Sequence, residues 1–403
     1  MKKIILLSFV LIALTAVSTP IRSMLGARSA VNTATNQEVE KPYWGLCFTA
    51  EEPGVVINMS KTGNPPAVTL ETSRNGVKWT PFDAEGGTTP ITLENIGDYV
   101  YFRATSHGNI NFANGRSSYH CFTLSGYCAA SGNIMSLING NVAVYSLTGS
   151  YNFYKLFSGC GTLTSCPELP ATQVAFISYG SMFQGCTSLT DAPTLPATNL
   201  SSYSYQYMFE NCSSLTNVPI LLAMSMAVGC YQGMFQNCTS LERTTELPSI
   251  TLNESCYSSM FLNCTSLKTA PNLCATNLAN NCYTAMFSGC TSLTNAPSVL
   301  PATSLKKQCY YQMFAKCKNL VNAPSISATS LNSQSCFGMF DGCSNLSLVT
   351  VAFTNWVSGV TDYWIGGVKQ TGTFRCPTAL GTQDTIERGT SRCPVGWTVV
   401  NID

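Results

Sequence analysis

Tyr179-Gly-Ser-Met182-Phe183-Gln-Gly185-Cys186-Thr-Ser-Leu189 is a segment that this chain repeats, with small changes, seven more times. Its anchors are Phe157, Phe183, Phe209, Phe235, Phe261, Phe287, Phe314 and Phe340. Successive gaps are 26 residues, except one of 27 where Val299-Leu300 replaces a single apolar residue. Spacing this regular marks a stacked architecture in which each copy is one rung of a solenoid.

Each rung has a physical reading. An aromatic four residues before the phenylalanine (Phe153, Tyr179, Tyr205, Tyr231, Tyr257, Tyr283, Tyr310), Met or Leu just before it and Cys three after it put apolar residues at i, i+3, i+4 and i+7. That spacing predicts one face of a two-turn helix. Gly159, Gly185, Asn211, Asn237, Asn263, Gly289, Lys316 or Gly342 precedes the cysteine, and all but Lys316 are types that accept the left-handed conformation ending a helix. A leucine present in all eight copies follows, from Leu163 to Leu346, and should point inward. Pro167, Pro193, Pro219, Pro271, Pro297 and Pro324 share one repeat position, where a long central strand would lose a hydrogen bond. Very short strands broken by a bend are predicted there. A stack buries each large side chain between its neighbours, at roughly 1.5–3 kcal/mol apiece.

With its aromatic, Phe, Cys and Cys-x-Ser-Leu marks, residues 151–346 resemble the leucine-rich repeats of the BspA-like family of bacterial surface proteins. Where that family carries a Leu-x-x-Ile-x-Ile-Pro strand in a shorter repeat, this chain has Ala-Pro-x-Leu-Pro, as in Ala192-Pro193-Thr194-Leu195-Pro196. The resemblance implies a leucine-rich-repeat-like fold of short strands plus short helices. It also implies binding or adhesion at a cell surface, and no catalytic residues.

Outside the repeats the pattern changes. Met1-Lys2-Lys3 and an apolar run to Val17 read as a signal peptide over residues 1–18, with Ala16 and Ser18 at the cleavage positions. No cysteine precedes Cys47, so a lipoprotein attachment has no candidate, and no later run is apolar enough to span a membrane. The expected location is extracellular or on a bacterial cell surface. Residues 19–42 form a polar linker. Residues 43–130 hold short alternating segments between Asn-Gly, Gly-Gly and Pro-Pro signals, which predicts an antiparallel β-domain. The solenoid takes residues 131–346, and residues 347–403, with Trp356, Trp364, Phe374 and Trp397, form a C-terminal cap.

Charged residues make up 10% of the chain and the net charge is +1, which removes the electrostatic basis for a nucleic-acid partner. Twenty cysteines contain no C-x-x-C pair, so no metal or other cofactor is expected, and the ladder thiols read as small buried residues. Cys376 and Cys393, outside the ladders, are the expected disulfide. The two histidines, His107 and His120, are read as surface or loop residues, and no acid/base constellation accompanies them.

A protein or glycan ligand on a host or neighbouring cell is the expected partner, with a carbohydrate-binding role in nutrient acquisition as the alternative. Two columns beside the inward leucine vary more than core positions tolerate, so at least one of them should face solvent, and they define the predicted interaction face: Thr190, Asp191, Thr216, Asn217, Glu242, Arg243, Lys268, Thr294 and Asn295. Such columns recur about every 4.8 Å in a parallel stack, a ribbon roughly 35 Å long. Glu242, Arg243 and Lys268 break its Ser/Thr/Asn monotony and are the expected specificity determinants.

Overall fold

A computed structural model describes residues 45–85, 90–140 and 145–403. The expected signal peptide and linker lie outside the described residues.

The phenylalanine repeat builds a solenoid, but its segment is a coil of turns and not a helix. In the second rung every other amide reaches the next rung: Tyr179 to the Ser204 carbonyl at 3.0 Å, Ser181 to Gln206 at 2.8 Å, Phe183 to Met208 at 2.9 Å, Gly185 to Glu210 at 2.8 Å. The amides between them close four-residue turns, Gly180 to Ile177 at 3.1 Å, Met182 to Tyr179 at 3.2 Å and Gln184 to Ser181 at 3.2 Å. One residue in four is left-handed, Ile177, Ser181 and Gly185 here, and the same triple recurs in later rungs. Positive φ at the third position of a four-residue turn is the habit of type II turns.

The expected helices are therefore corrected, and the reason is cooperative. An isolated helix shorter than about 12–15 residues is marginal in water. The turn coil instead hands half of its amides to a neighbour that is always present. Lys316, the apparent exception among the residues before the cysteine, is left-handed like the other seven, with φ 61°.

The inward side chains stack on their counterparts one rung away. Phenylalanine rings from Phe157 to Phe340 sit 5.3–5.7 Å apart with interplanar angles of 1–15°. A second ladder runs from Phe153 through Tyr179, Tyr205, Tyr231, Tyr257 and Tyr283 to Tyr310 at 5.7–6.1 Å. Offset stacking of this kind adds to area burial. Methionines, cysteines and leucines of the repeat fill the remaining interior.

The opposite side of the coil carries very short parallel strands in some rungs, as the prolines predict: β10 (Leu163–Ser165), β11 (Gln173–Val174), β12 (Asn199–Leu200), β13 (Val299–Leu300) and β14 (Ser325–Ile326). β11 pairs with β12 and β13 with β14, and isolated bridges such as Leu195–Leu221 and Leu247–Leu273 join other rungs.

The N-terminal antiparallel domain is present as two sheets. β1 (Cys47–Ala50), β3 (Leu70–Ser73), β4 (Thr80–Phe82), β6 (Tyr99–Ala104) and β9 (Cys128–Ser131) combine with β10 in the order β10-β9-β1-β6-β3-β4. β2 (Val55–Thr62), β5 (Ile91–Leu93), β7 (Ala113–Gly115) and β8 (Ser118–Leu124) form the order β5-β2-β8-β7. Phe48, Phe102 and Phe122 meet between them with ring centroids 5.1–5.6 Å apart.

This domain also caps the coil. Phe122 stacks on Phe157 at 5.5 Å and Phe112 on Phe153 at 5.9 Å, so both ring ladders continue into it. The Phe122 amide donates to Leu156 O at 2.8 Å, and β9 pairs in parallel with β10.

At the other end the coil adds a ninth turn after the eight read from the sequence. Gly359, Tyr363 and Gly367 repeat the left-handed triple, and the Gly342 amide donates to Gly366 O at 2.7 Å. Trp364 closes the phenylalanine ladder, 6.2 Å from Phe340, with its indole N–H donating to Arg392 O at 3.0 Å. β15 (Leu348–Thr350), β16 (Thr373–Cys376) and β17 (Thr398–Asn401) form a parallel sheet beneath it.

Candidate interaction surfaces

The recurrent residues are consumed by the interior. Each thiol of the column that follows the repeat phenylalanine by three residues donates to a phenylalanine carbonyl one rung back: Cys160 to Phe122 at 3.0 Å, Cys186 to Phe157 at 3.2 Å, Cys238 to Phe209 at 3.1 Å, Cys343 to Phe314 at 3.0 Å. The same Phe157 carbonyl takes the Cys160 amide at 3.1 Å, so a cysteine serves where alanine would leave a lone pair unused. The threonine after the cysteine also reaches back, as Thr265 does to Thr239 O at 3.4 Å.

All twenty cysteines are free thiols. Burial pushes Cys212, Cys230, Cys290, Cys309 and Cys343 up to about 12, and Cys393 to about 11, where Arg388 pulls it down and Cys376 pushes it up. Cys376 and Cys393 are both buried and stand unbonded in this structure. Only Cys274 is exposed and Cys166 half-buried. Brief iodoacetamide treatment of the native protein should therefore modify Cys274 well ahead of the ladder positions, which should react only on unfolding. Rapid native labelling of Cys212 or Cys238 in a peptide digest would contradict this packing.

His107 is exposed in a turn, as expected, but His120 departs from its surface assignment. It is fully buried in β8, with Nε2 2.9 Å from the Pro66 carbonyl and 3.7 Å from Glu85. Among the described residues no three His, Cys, Asp or Glu side chains converge in a metal-binding arrangement. No helix of the described residues is long and apolar enough to cross a membrane.

All nine residues of the predicted interaction face are exposed. They are linked from rung to rung: Asn217 donates to Asp191 at 3.1 Å, Thr216 to Thr190 O at 3.3 Å, Thr294 to Lys268 O at 3.2 Å and Asn295 to Thr269 at 3.3 Å. Lys268 pairs with Glu242 at 3.1 Å, their side chains 61% and 54% exposed, so the pair contributes at most about 1 kcal/mol to folding. Glu242, Arg243, Glu246 and Lys268 line a depression of about 460 Å³ with Thr244 and Thr269.

Beside it lies an apolar patch that the sequence reading missed. Ile220 is 72% exposed, Met224 61% and Ile250 59%, with Leu222 also exposed. The Ser249 hydroxyl donates to Met224 O at 3.1 Å, which joins these rungs. Position 220 corresponds to Thr194, Glu246, Asn272 and Ser298 in other copies, and that apolar departure from a polar column is the signal that marks the patch.

The turn side of the first three rungs gathers aromatics. Rings of Tyr119, Tyr154, Tyr151, Phe176 and Tyr203 follow one another edge to face, with centroids 6.0, 5.7, 5.7 and 6.0 Å apart.

No family model, no curated protein and no solved structure matches this chain.

Proposed function

We propose that this chain is an exported, non-enzymatic binding protein that engages a macromolecular partner at a cell surface through the exposed columns of its solenoid. The observation that carries the reading is the division of labour within a rung. The recurring aromatic, Met, Phe, Cys and Leu side chains are interior, and the columns that vary in charge and size are exposed. Catalysis is disfavoured because the repeated nucleophile types, cysteine and tyrosine, are held protonated by burial. The BspA-like resemblance of the repeats points the same way.

Within the columns, the third to fifth rungs hold the partner. Ile220, Leu222, Met224 and Ile250 supply apolar area next to Glu242, Arg243 and Lys268, the combination of apolar centre and polar rim found in protein interfaces. A protein partner therefore fits better than a neutral glycan at this place.

The test is retention of the purified chain on intact cells or extracellular matrix. Met224→Ser with Ile250→Ser, and separately Lys268→Glu, should weaken retention at least tenfold while stability changes by no more than about 1 kcal/mol, since all three side chains are exposed. Undiminished retention of both variants would sink the assignment. Loss of retention after glycosidase treatment of the cells, with protease treatment harmless, would favour the carbohydrate alternative.

A further inference from the structure

The aromatic row at the start of the coil is built, not scattered. Tyr203 and Tyr207 lie across the next rung at Gly229 and Gly233, where an added Cβ would fall 2.4 Å and 2.2 Å from their ring atoms. Glycine at those two places lets the rings lie down on the turn ribbon. Tyr119, Tyr151, Tyr203 and Tyr207 are half-buried and Phe176 is exposed, so the row offers ring surface to solvent while Tyr154 anchors it from beneath.

Polar groups border this surface, and among the described residues the two charged groups set over its rings are cations. Lys155 Nζ lies 4.8 Å from the centre of the Tyr119 ring and 5.7 Å from that of Tyr154. The exposed Arg116 guanidinium lies 5.6 Å from the Tyr203 ring and donates to Gln206 at 2.7 Å. Gln206 in turn donates to Gln232 at 2.7 Å, which fixes the amide beneath the guanidinium. Glu210 is on the same ribbon within electrostatic reach of Lys155 and Tyr207, and its half-buried carboxylate accepts from Gln184 at 2.5 Å and Gln236 at 3.1 Å, which leaves Arg116 as the cation farther from an anion.

We propose that this row is a second binding site, separate from the one in the third to fifth rungs, and that it takes an oligosaccharide bearing carboxylate groups. Pyranose rings present C–H faces that pack on aromatic faces, and successive rings of the row stand edge to face, so that faces and edges alternate along it. Tyrosine supplies rigid contact area with a hydroxyl at the edge, which suits a ligand that is apolar on its faces and polar on its rim. Arg116 can take a carboxylate in two parallel hydrogen bonds, and Lys155 can take another as a point charge.

Calorimetric titration of the full chain with a hexameric uronic-acid oligosaccharide, beside maltohexaose and chitohexaose, tests the site. The uronate chain should bind, at least tenfold more tightly than either neutral chain, and more weakly as salt rises. Phe176→Ala combined with Tyr203→Ala should lower that affinity tenfold or more, whereas Tyr203→Phe should preserve most of it. Arg116→Gln should narrow the preference for the acidic chain and flatten the salt dependence. An unchanged thermal midpoint shows that the variants are folded. Failure of the uronate chain to bind, equal binding of neutral chains, or affinities indifferent to these substitutions would each overturn the proposal.

Discussion

Raising the pH from 8 to 10 should destabilise this protein by several kcal/mol, with little change between pH 6 and 8. A thiol is neutral when protonated, and burial holds Cys212, Cys230, Cys290, Cys309 and Cys343 at about 12 against an ordinary 9.0. Their folded values are raised, so the contribution is fully present below pH 9, where both states keep the proton. As pH climbs from 9 towards 12 the unfolded chain releases protons that the folded chain retains. Each such thiol then costs about 1.4 kcal/mol of stability per pH unit. Neighbouring thiols do not add perfectly, but five of them acting in one direction outweigh ordinary surface titration. Urea unfolding followed by circular dichroism from pH 6 to 10.5 would check this. A midpoint that is flat to pH 10 would mean that the ladder thiols are solvated.

Phe235→Ala should cost about 3–5 kcal/mol, the range for removing a large buried aromatic. Phe235 is fully buried and stacks on Phe209 at 5.6 Å and Phe261 at 5.7 Å, so truncation leaves a gap lined by two rings held by their own rungs. Because a rung contacts only its neighbours, the loss falls on two interfaces at once and the stack can split there. Denaturant unfolding should show a lowered midpoint with a broadened or divided transition. By contrast, Thr294→Ala, on an exposed column, should change the stability by less than about 0.5 kcal/mol. Equal effects at the two positions would contradict the assignment of interior and surface.

Much of this architecture is legible in the residues. The spacing of the phenylalanines predicts a stack, the prolines predict interrupted strands, and the variety at Thr190, Glu242 and Lys268 predicts solvent. The turn coil is not legible, for a geometric reason. Over eight residues a period of 3.6 and a period of 4.0 place the same side chains inward, so Tyr179, Met182, Phe183 and Cys186 fit either. The distinguishing mark would be glycine or asparagine every four residues. It is present at Gly229, Gly233 and Asn237, but Ile177, Ser181 and Tyr207 take the same left-handed positions without that signature. Stacking hydrogen bonds and ring ladders hold those residues where their own preference would not.

The N-terminal domain shows a second gap of the same kind. Alternation and turn signals give its strands, but Phe122 as the first step of the phenylalanine ladder lies outside the repeat period and emerges only from packing. A repeat-only fragment would expose Phe153 and Phe157, which makes the full chain the right material for binding work. Among the candidate site residues, the charged ones announce themselves by breaking a polar monotony. The patch around Ile220 does not, since isoleucine in an apolar-rich repeat reads as interior until the column is compared across rungs.

The coil is tested most directly by backbone NOE contacts in the deuterated, amide-protonated protein, with Phe209, Phe235 and Phe261 as reporters. Stacked turns predict contacts between residues about 26 apart in sequence, together with the short amide contacts of four-residue turns at residues 231–238. Helical rungs would instead give an unbroken run of strong i to i+1 amide contacts through residues 231–238 and no amide contact between Phe235 and its counterparts, and that result would contradict the structure described above.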